Sequence, residues 1–216
     1  MCIRDSYSSF GITLTSTGSI TTGGDNASGL LANGDVVTLT STGDISTAGT
    51  YAVGIFARSI QDVTVASTGN ITTRGDDAVG ILALASSFGS GTATVTSIGN
   101  ITTGGAAADG IFARGGPRAV VTSTGDIATT GDSSRGIYAA SNSDVTVTST
   151  GNITTTGDSA GGIDARTHNL VYVTSTGSIT TTGAGIFAQS QGGRMLVTST
   201  GNITTCLLYT SPSPRD

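Results

Sequence analysis

Residues 144–166 read DVTVTSTGNITTTGDSAGGIDAR, and this stretch decides the fold because the rest of the chain repeats it. Residues 35–58 read DVVTLTSTGDISTAGTYAVGIFAR, five looser copies occur elsewhere, and a final partial copy ends at Thr205. Self-similarity with a period of roughly 20 to 50 residues is typical of solenoids and repeat arrays. The chain is therefore predicted to be a stack of similar units.

The length of the repeat is given by the glycine of the S-T-G signature, which recurs at spacings of 25, 26, 30, 26, 26, 26 and 24 residues. These glycines are Gly18, Gly43, Gly69, Gly99, Gly125, Gly151, Gly177 and Gly201. The one long repeat takes its extra residues at positions 83–91. An insertion at a single place in one repeat indicates a loop on one side of the stack.

Apolar residues recur at fixed distances from the signature glycine. The position four residues before it holds Leu14, Leu39, Val65, Val95, Val121, Val147, Val173 and Val197. The position two residues after it holds Ile20, Ile45, Ile71, Ile101, Ile127, Ile153, Ile179 and Ile203. Around these positions apolar and polar residues alternate, many of them are β-branched, and glycines lie at either end of each segment. This pattern predicts short β-strands whose two apolar columns face the interior.

The same side chain returns once in each repeat and no hairpin signal joins neighbouring strands, so parallel stacking is favoured over antiparallel pairing. The predicted fold class is all-β: a single-stranded parallel β-helix (β-solenoid) of about 26 residues per coil, with seven to eight coils and three short strands per coil. Strand twist favours the right-handed form. A second glycine column, from Gly24 to Gly183, is expected to supply corners with positive φ, and the serine column from Ser16 to Ser199 is expected to face inward with bonded hydroxyls.

The two ends do not share the repeat. Residues 1–6 and 206–216 look like one sequencing-adapter element translated from opposite strands, because the reverse complement of a coding sequence for residues 1–6 encodes Cys-Leu-Leu-Tyr-Thr, the run that begins at Cys206. We therefore predict a solenoid fragment at residues 7–205 between two adapter-derived segments. Both cysteines, Cys2 and Cys206, fall in those segments, so no disulfide is expected in the repeats.

Composition excludes two classes of function. The chain has no lysine, glutamate or tryptophan, and its 9 arginines and 14 aspartates give a net charge of −5. A nucleic-acid binder needs a basic stripe that neutralises phosphates, so no nucleic-acid partner is expected. No apolar run approaches the ~20 residues that span a bilayer, so no membrane insertion of this segment is expected.

Few residues suggest chemistry. Asp25, Asp76, Asp77, Asp132 and Asp158 lie at the glycine corner and are interpreted as turn formers. The lone His168 is interpreted as a solvated loop residue. The column after the signature glycine is rich in Asp and Asn, and hydrogen-bonded turns explain it better than calcium, which needs six to eight converging oxygens. We therefore expect no catalytic residue, no cofactor and no metal site, and no enzymatic activity.

One outward column is the candidate for function. It contains Leu31, Phe56, Leu82, Phe112, Tyr138 and Phe187, with Asp164 interrupting it and with Arg58, Arg114 and Arg166 two residues further on. A contiguous apolar stripe of this length is uncommon on a lone domain, so contact with a partner is one hypothesis. The equally weighted alternative is that ring stacking and arginine-over-ring contacts stabilise the sheet.

Two other functions remain open on sequence grounds. Outward threonines at positions 15, 40, 96, 122, 148, 174 and 198, with Ala66 interrupting, are a pattern that suits ice binding. A polysaccharide-degrading β-helix enzyme whose active-site region lies elsewhere is the other alternative.

The repeats V-T-V-T-S-T-G-N-I-T-T-T-G-D-S-A-x-G-I-x-A resemble those of autotransporter (type V secreted) passenger domains over residues 7–205. The resemblance implies an extracellular or bacterial cell-surface location, export by a C-terminal β-barrel, and a structural or adhesive stalk that meets a host surface glycan or protein. A stack cut through at both ends exposes unpaired strands, so self-association through the open solenoid ends is also expected.

Overall fold

The computed structural model describes the backbone of residues 3–7, 10–86 and 90–205, and side chains from residue 10 onward in those ranges. The predicted adapter segment at residues 206–216, Met1 and Cys2 lie outside the described residues. Within the described ranges the chain forms 24 β-strands and no helix. Successive strands belong in turn to three parallel sheets of eight strands each, here called sheets A, B and C.

The strand bounds follow the sequence repeat. Sheet A contains β1 Ile3–Tyr7, β4 Leu30–Gly34, β7 Ile55–Ser59, β10 Ile81–Leu84, β13 Ile111–Arg114, β16 Ile137–Ala140, β19 Ile163–Thr167 and β22 Ile186–Ser190. Sheet B contains β2 Ile12–Ser16, β5 Val37–Ser41, β8 Val63–Ser67, β11 Thr92–Ser97, β14 Arg118–Ser123, β17 Asp144–Ser149, β20 Leu170–Ser175 and β23 Met195–Ser199. Sheet C contains β3 Ile20–Thr22, β6 Ile45–Thr47, β9 Ile71–Thr73, β12 Ile101–Thr103, β15 Ile127–Thr129, β18 Ile153–Thr155, β21 Ile179–Thr181 and β24 Ile203–Thr205.

From β2 onward, every strand pairs with its counterpart in the adjacent coil, and the register superimposes equivalent residues. Strand β1 pairs with β4, with an irregularity between Ile3 and Ser6. Val147 lies between Val121 and Val173 in sheet B. The isoleucines of sheet C do the same, since β18 pairs residue for residue with β15 and β21. The predicted parallel β-solenoid with coils of about 26 residues and three strands per coil is therefore confirmed.

The core is the narrow interior enclosed by the three sheets. Val147 and Ile153 are fully buried, as is the small Ala139 of sheet A. Burying a valine or isoleucine side chain contributes about 1.5 to 3 kcal/mol, and most of that burial requires the neighbouring coil. In the last coil that the structure describes, the same columns are open: Val197 is 43% exposed and Ile203 is 46% exposed.

The glycine columns are required by close approach between coils, and the expectation of positive φ was wrong. No glycine among the described residues has a positive φ. A Cβ added to Gly105 would lie 2.5 Å from the amide nitrogen of Asp76 and closer still to the carbonyl of Gly75, the equivalent glycine one coil earlier. Glycine is needed because the backbones of successive corners touch where a side chain would begin.

The left-handed conformation occurs two residues after that glycine column. Six residues that are not glycine have φ between 52° and 57°: Asn26, Tyr51, Asp77, Ala107, Ser133 and Ser159. Such a conformation costs an L-residue about 1 to 2 kcal/mol. The parallel stacking of corners imposes it on whatever side chain occupies the position.

Two columns of buried hydroxyls line the interior with different outcomes. The serine column does face inward, and the Oγ atoms of Ser41, Ser175 and Ser199 donate long hydrogen bonds of 3.4 to 3.5 Å to the carbonyl two residues on, as predicted. The prediction was wrong for Ser67, Ser97, Ser123 and Ser149, whose Oγ atoms have no hydrogen-bond partner among the described residues. The threonines that end the sheet C strands from β3 to β21 each donate a hydrogen bond to a backbone carbonyl. Thr103 Oγ1, for example, donates to the carbonyl of Ala108 at 2.6 Å.

This contrast predicts opposite effects for two changes in one coil. Thr103→Val removes the donor from a buried carbonyl and is expected to lower the free energy of unfolding by about 1 to 3 kcal/mol. Ser97→Ala removes a hydroxyl that has no partner and is expected to leave stability unchanged or raise it by up to about 1 kcal/mol. Urea denaturation followed by circular dichroism measures both, and equal losses would contradict the assignment of these hydroxyls.

Candidate functional site

The candidate stripe lies on the outer surface of sheet A in unbroken register. Strand pairing places Leu31 beside Phe56, Phe56 beside Leu82, and Leu82 beside Phe112. Tyr138 follows Phe112 in the next coil. We call these residues, together with Phe187, the sheet A stripe.

Most of the stripe is half-buried, because each side chain covers its neighbours. Phe187 is the most open of the aromatic members, with 41% of its surface exposed. Asp164 separates it from Tyr138 in the register, and this carboxylate is only 6% exposed. The stripe therefore consists of an apolar ladder from coil to coil, one buried acidic position and an exposed ring.

Contacts between rings, and between arginines and rings, support the hypothesis that the sheet A stripe stabilises the sheet. The rings of Phe112 and Tyr138 have centroids 4.6 Å apart and are tilted by 38°. The guanidinium of Arg135 lies 4.0 Å from the Tyr138 ring centroid, and that of Arg166 lies 5.0 Å from the Phe187 centroid. Each such cation–π contact stabilises by about 0.5 to 2 kcal/mol, depending on how far it is removed from water.

A chain of four charged side chains lies along the edge of the stripe. Arg135 donates from Nη2 to Asp109 Oδ2 at 2.7 Å and from Nε to Asp109 Oδ1 at 3.2 Å. Its Nη1 lies 3.4 Å from Asp164 Oδ2. Arg166 donates to both oxygens of Asp164, at 2.7 and 2.8 Å. We call Asp109, Arg135, Asp164 and Arg166 the charged cluster.

Burial and pairing act in opposite directions on these groups. Burial raises the pKa of the Asp109 carboxyl above its usual value, and the donors of Arg135 offset part of that shift. Burial alone would lower the pKa of Arg135, but its bonds to Asp109 and Asp164 raise it overall. The hydrogen bond to Asp164 raises the pKa of Arg166. Both arginines are therefore permanently charged.

Three arginines form a second line beside the stripe. Arg58, Arg114 and Arg166, here called the arginine row, alternate with Leu84 and Ala140 along sheet A. All three arginines are exposed. Among the salt bridges in the described ranges, only Arg166 of the row takes part. Arg58 and Arg114 thus present guanidinium groups that no carboxylate neutralises there.

Shallow cavities separate the members of the arginine row. One of about 450 Å³ is lined by Arg58, Leu84 and Arg114, and one of about 280 Å³ is lined by Arg114, Ala140 and Arg166. Arg114 belongs to both. The short or apolar residue at each intervening position leaves the space that an arginine would otherwise fill.

Sequence reasoning missed Asp109 and Arg135. Their column, directly before the glycine of the G-I pair, holds Val53 and Val79 in earlier coils, both nearly buried. A charged pair of opposite sign in consecutive copies of an apolar column was the signal that could have identified them. Because the carboxylate of Asp109 is 3% exposed, the pair is part of the wall of the solenoid.

Several of the other polar residues singled out in the sequence have hydrogen-bond partners in the next coil. Asp44 Oδ1 accepts from the amide of Asn70 at 2.8 Å, and Asn70 Oδ1 accepts from the amide of Asn100 at 3.0 Å, so this column is hydrogen-bonded, but its bonds form a ladder between coils and not within one turn. At the glycine corner, Asp132 Oδ1 accepts from the amide of Asp158 at 2.8 Å. No group of three or more metal-ligating side chains occurs in the part of the chain that the structure describes.

Comparisons with protein-family models, with curated proteins and with solved structures gave no match to this chain. No helix within residues 3–7, 10–86 and 90–205 is long and apolar enough to cross a membrane.

Proposed function

We propose that the chain is a structural and adhesive stalk segment of a secreted bacterial surface protein, similar to an autotransporter passenger, and that sheet A is its contact surface. The observation that carries the proposal is the outward stripe, which ends in the exposed Phe187 and runs beside the unneutralised Arg58 and Arg114. Aromatic and arginine side chains are enriched where proteins meet partners. Location at the cell surface rests on the resemblance of the repeats.

A stalk without catalysis fits the chemistry of the carboxylates near the stripe. Hydrolysis of a glycosidic bond uses two carboxyl groups, one of which must be free to give a proton. Asp109 and Asp164 both accept hydrogen bonds from arginine, and each is almost completely buried. Neither is presented to a ligand as a general acid or base, so the charged cluster does not supply the two carboxyl groups that such hydrolysis uses.

Replacing Phe56, Phe112 and Phe187 by serine tests the contact role of the stripe. Latex beads coated with the protein are scored for retention on a monolayer of cultured epithelial cells. The triple variant is expected to lose most of the retention, because aromatic anchors often contribute more than about 2 kcal/mol each to binding. Unchanged retention with a lowered melting temperature would assign the rings to sheet stability alone.

The matched control is Tyr172→Ser. Tyr172 is an aromatic residue, 39% exposed, on the outer surface of sheet B, so its loss changes apolar area without touching sheet A. Retention by the control is expected to equal that of the wild type. An equal loss in both variants would indicate general stickiness of exposed rings.

Ice binding is a second candidate because sheet B aligns threonines in two neighbouring ranks. Thr13 and Thr15 pair with Thr38 and Thr40 in the next coil. Rows spaced by one coil, about 4.8 Å, form a regular hydroxyl and methyl lattice. Ala66, Val120, Tyr172 and Leu196 interrupt it further along. Thermal hysteresis in a nanolitre osmometer is the measurement, and its absence at millimolar protein would eliminate this candidate.

A further inference from the structure

The spacing of the arginine row suggests the shape of a ligand. One arginine occurs in every second coil from Arg58 to Arg166, so neighbouring guanidinium groups are separated by two strand spacings, roughly 10 Å. The row runs parallel to the solenoid axis. A ligand that meets all three must be extended and must carry negative groups at a comparable interval.

Each of the two cavities lies between two neighbouring arginines of the row and offers space for a sugar unit of such a ligand. Arg114 forms a wall of both, so a single extended chain could occupy them in succession. The second cavity is also lined by Tyr138, His168, Gln189 and Gln191. Amide and imidazole groups donate and accept hydrogen bonds as sugar hydroxyls require, and an aromatic ring packs against the apolar face of a sugar.

Charge favours an anionic group in each cavity. Guanidinium binds carboxylate and sulfate through two parallel hydrogen bonds, and such charge-assisted bonds are the strong ones. Arg58 and Arg114 form no salt bridge in the described ranges, although the chain as a whole carries a net charge of −5. The positive row is therefore a local feature of sheet A on an acidic protein.

We infer that the arginine row binds an acidic polysaccharide lying along the solenoid axis, with an anionic sugar seated in each cavity and a neutral sugar between them. This inference rests on the proposed adhesive function and names the partner of the same surface. A nucleic acid fits less well, because three guanidinium groups spread over five coils neutralise few phosphates and the remaining surface is acidic.

The test uses the full chain immobilised on a biosensor. The probes are hyaluronan and chondroitin sulfate, which separate carboxylate from sulfate recognition, with dextran as a neutral polymer and oligothymidylate as an anionic polymer without sugars of this kind. Binding to at least one acidic polysaccharide is expected, weakening as salt is raised, with no binding to dextran. Arg58→Gln with Arg114→Gln is expected to reduce affinity roughly tenfold or more.

Two further variants separate a site from general attraction. Arg74→Gln with Arg194→Gln changes the net charge equally but removes exposed arginines outside the row, and is expected to retain affinity. Ala140→Arg adds a positive charge while filling the second cavity, at an outward position where neighbouring coils already carry Arg114 and Arg166. It is expected to weaken binding. Tighter binding would contradict the inference that a sugar occupies this cavity.

Other outcomes also decide the matter. Equal losses in the two double variants, or binding to oligothymidylate as tight as to the polysaccharides, would overturn the inference. If coated beads adhere to cells but the protein binds neither polysaccharide, this inference fails and the adhesive function stands. If the polysaccharides bind but cells do not retain the beads, the adhesive function fails while the site remains.

Discussion

Gly105→Ala is expected to destabilise the solenoid severely, whereas Gly104→Ala is expected to be harmless. A Cβ at Gly105 would collide with the backbone of Gly75 and Asp76, and backbone in a stacked corner has no rotamer by which to yield. Accommodating a methyl group means separating two coils along their length. The loss should reach or exceed the upper end of the roughly 1 to 3 kcal/mol typical of overpacking.

Gly104 supplies a control one residue away. Its added Cβ would have its nearest neighbour at 3.7 Å, and its φ lies outside the left-handed region. Alanine there restricts the unfolded chain and is expected to stabilise by up to about 1 kcal/mol. Thermal and urea denaturation of both variants provide the comparison. Similar midpoints for the two would mean that the coils are not in contact at this corner.

Arg135→Leu is the second change with a large expected effect. It leaves Asp109 buried without the guanidinium that pairs with it, although the backbone amide of Arg135 still donates to its Oδ1 at 2.6 Å. Removing one partner of a buried ion pair costs about 3 to 5 kcal/mol. Urea denaturation at about pH 7 should reveal a loss of that size, whereas the exposed Arg74→Leu control should change stability little.

The double variant Asp109→Val with Arg135→Val should recover most of that loss. Val53 and Val79 occupy the same column in earlier coils, so the pocket already suits valine. Replacing both members of a buried pair by apolar residues is often neutral or stabilising. A double variant as unstable as Arg135→Leu would show that the attraction between Asp109 and Arg135 exceeds the cost of burying their charges, so that the pair stabilises the fold.

The pH dependence of Arg135→Leu is a further check on the same pair. The pKa of Asp109 is raised in the folded state, so its stabilising contribution is fully present below the unfolded value of 3.8 and is lost as the pH rises through the folded value. In the Arg135→Leu variant no guanidinium lowers the pKa of Asp109, so burial raises that pKa further. The stability deficit of the variant should therefore shrink between about pH 7 and about pH 4. A deficit independent of pH would place its cause outside Asp109.

The site was only partly predictable. The stripe and the arginine row were found because they repeat with the coil, and a repeated residue reveals which surface it occupies. The charged cluster was missed because Asp109 and Arg135 each occur once, and a residue that departs from its column gives no period. The pairing of Asp164 likewise became apparent only from the two arginines beside it in the structure.

The sequence by itself determined the architecture: the period, the three strands of each coil, the parallel register and the inward columns of Val147 and Ile153 all follow from regular side-chain spacing. Tertiary structure alone decided why glycine is needed at the corners, which hydroxyls are bonded, and how the charged cluster pairs. The physical reason is distance. Spacing along the chain specifies which residues superimpose, but whether Gly105 touches Gly75, or Arg135 reaches Asp109, depends on how closely successive coils approach.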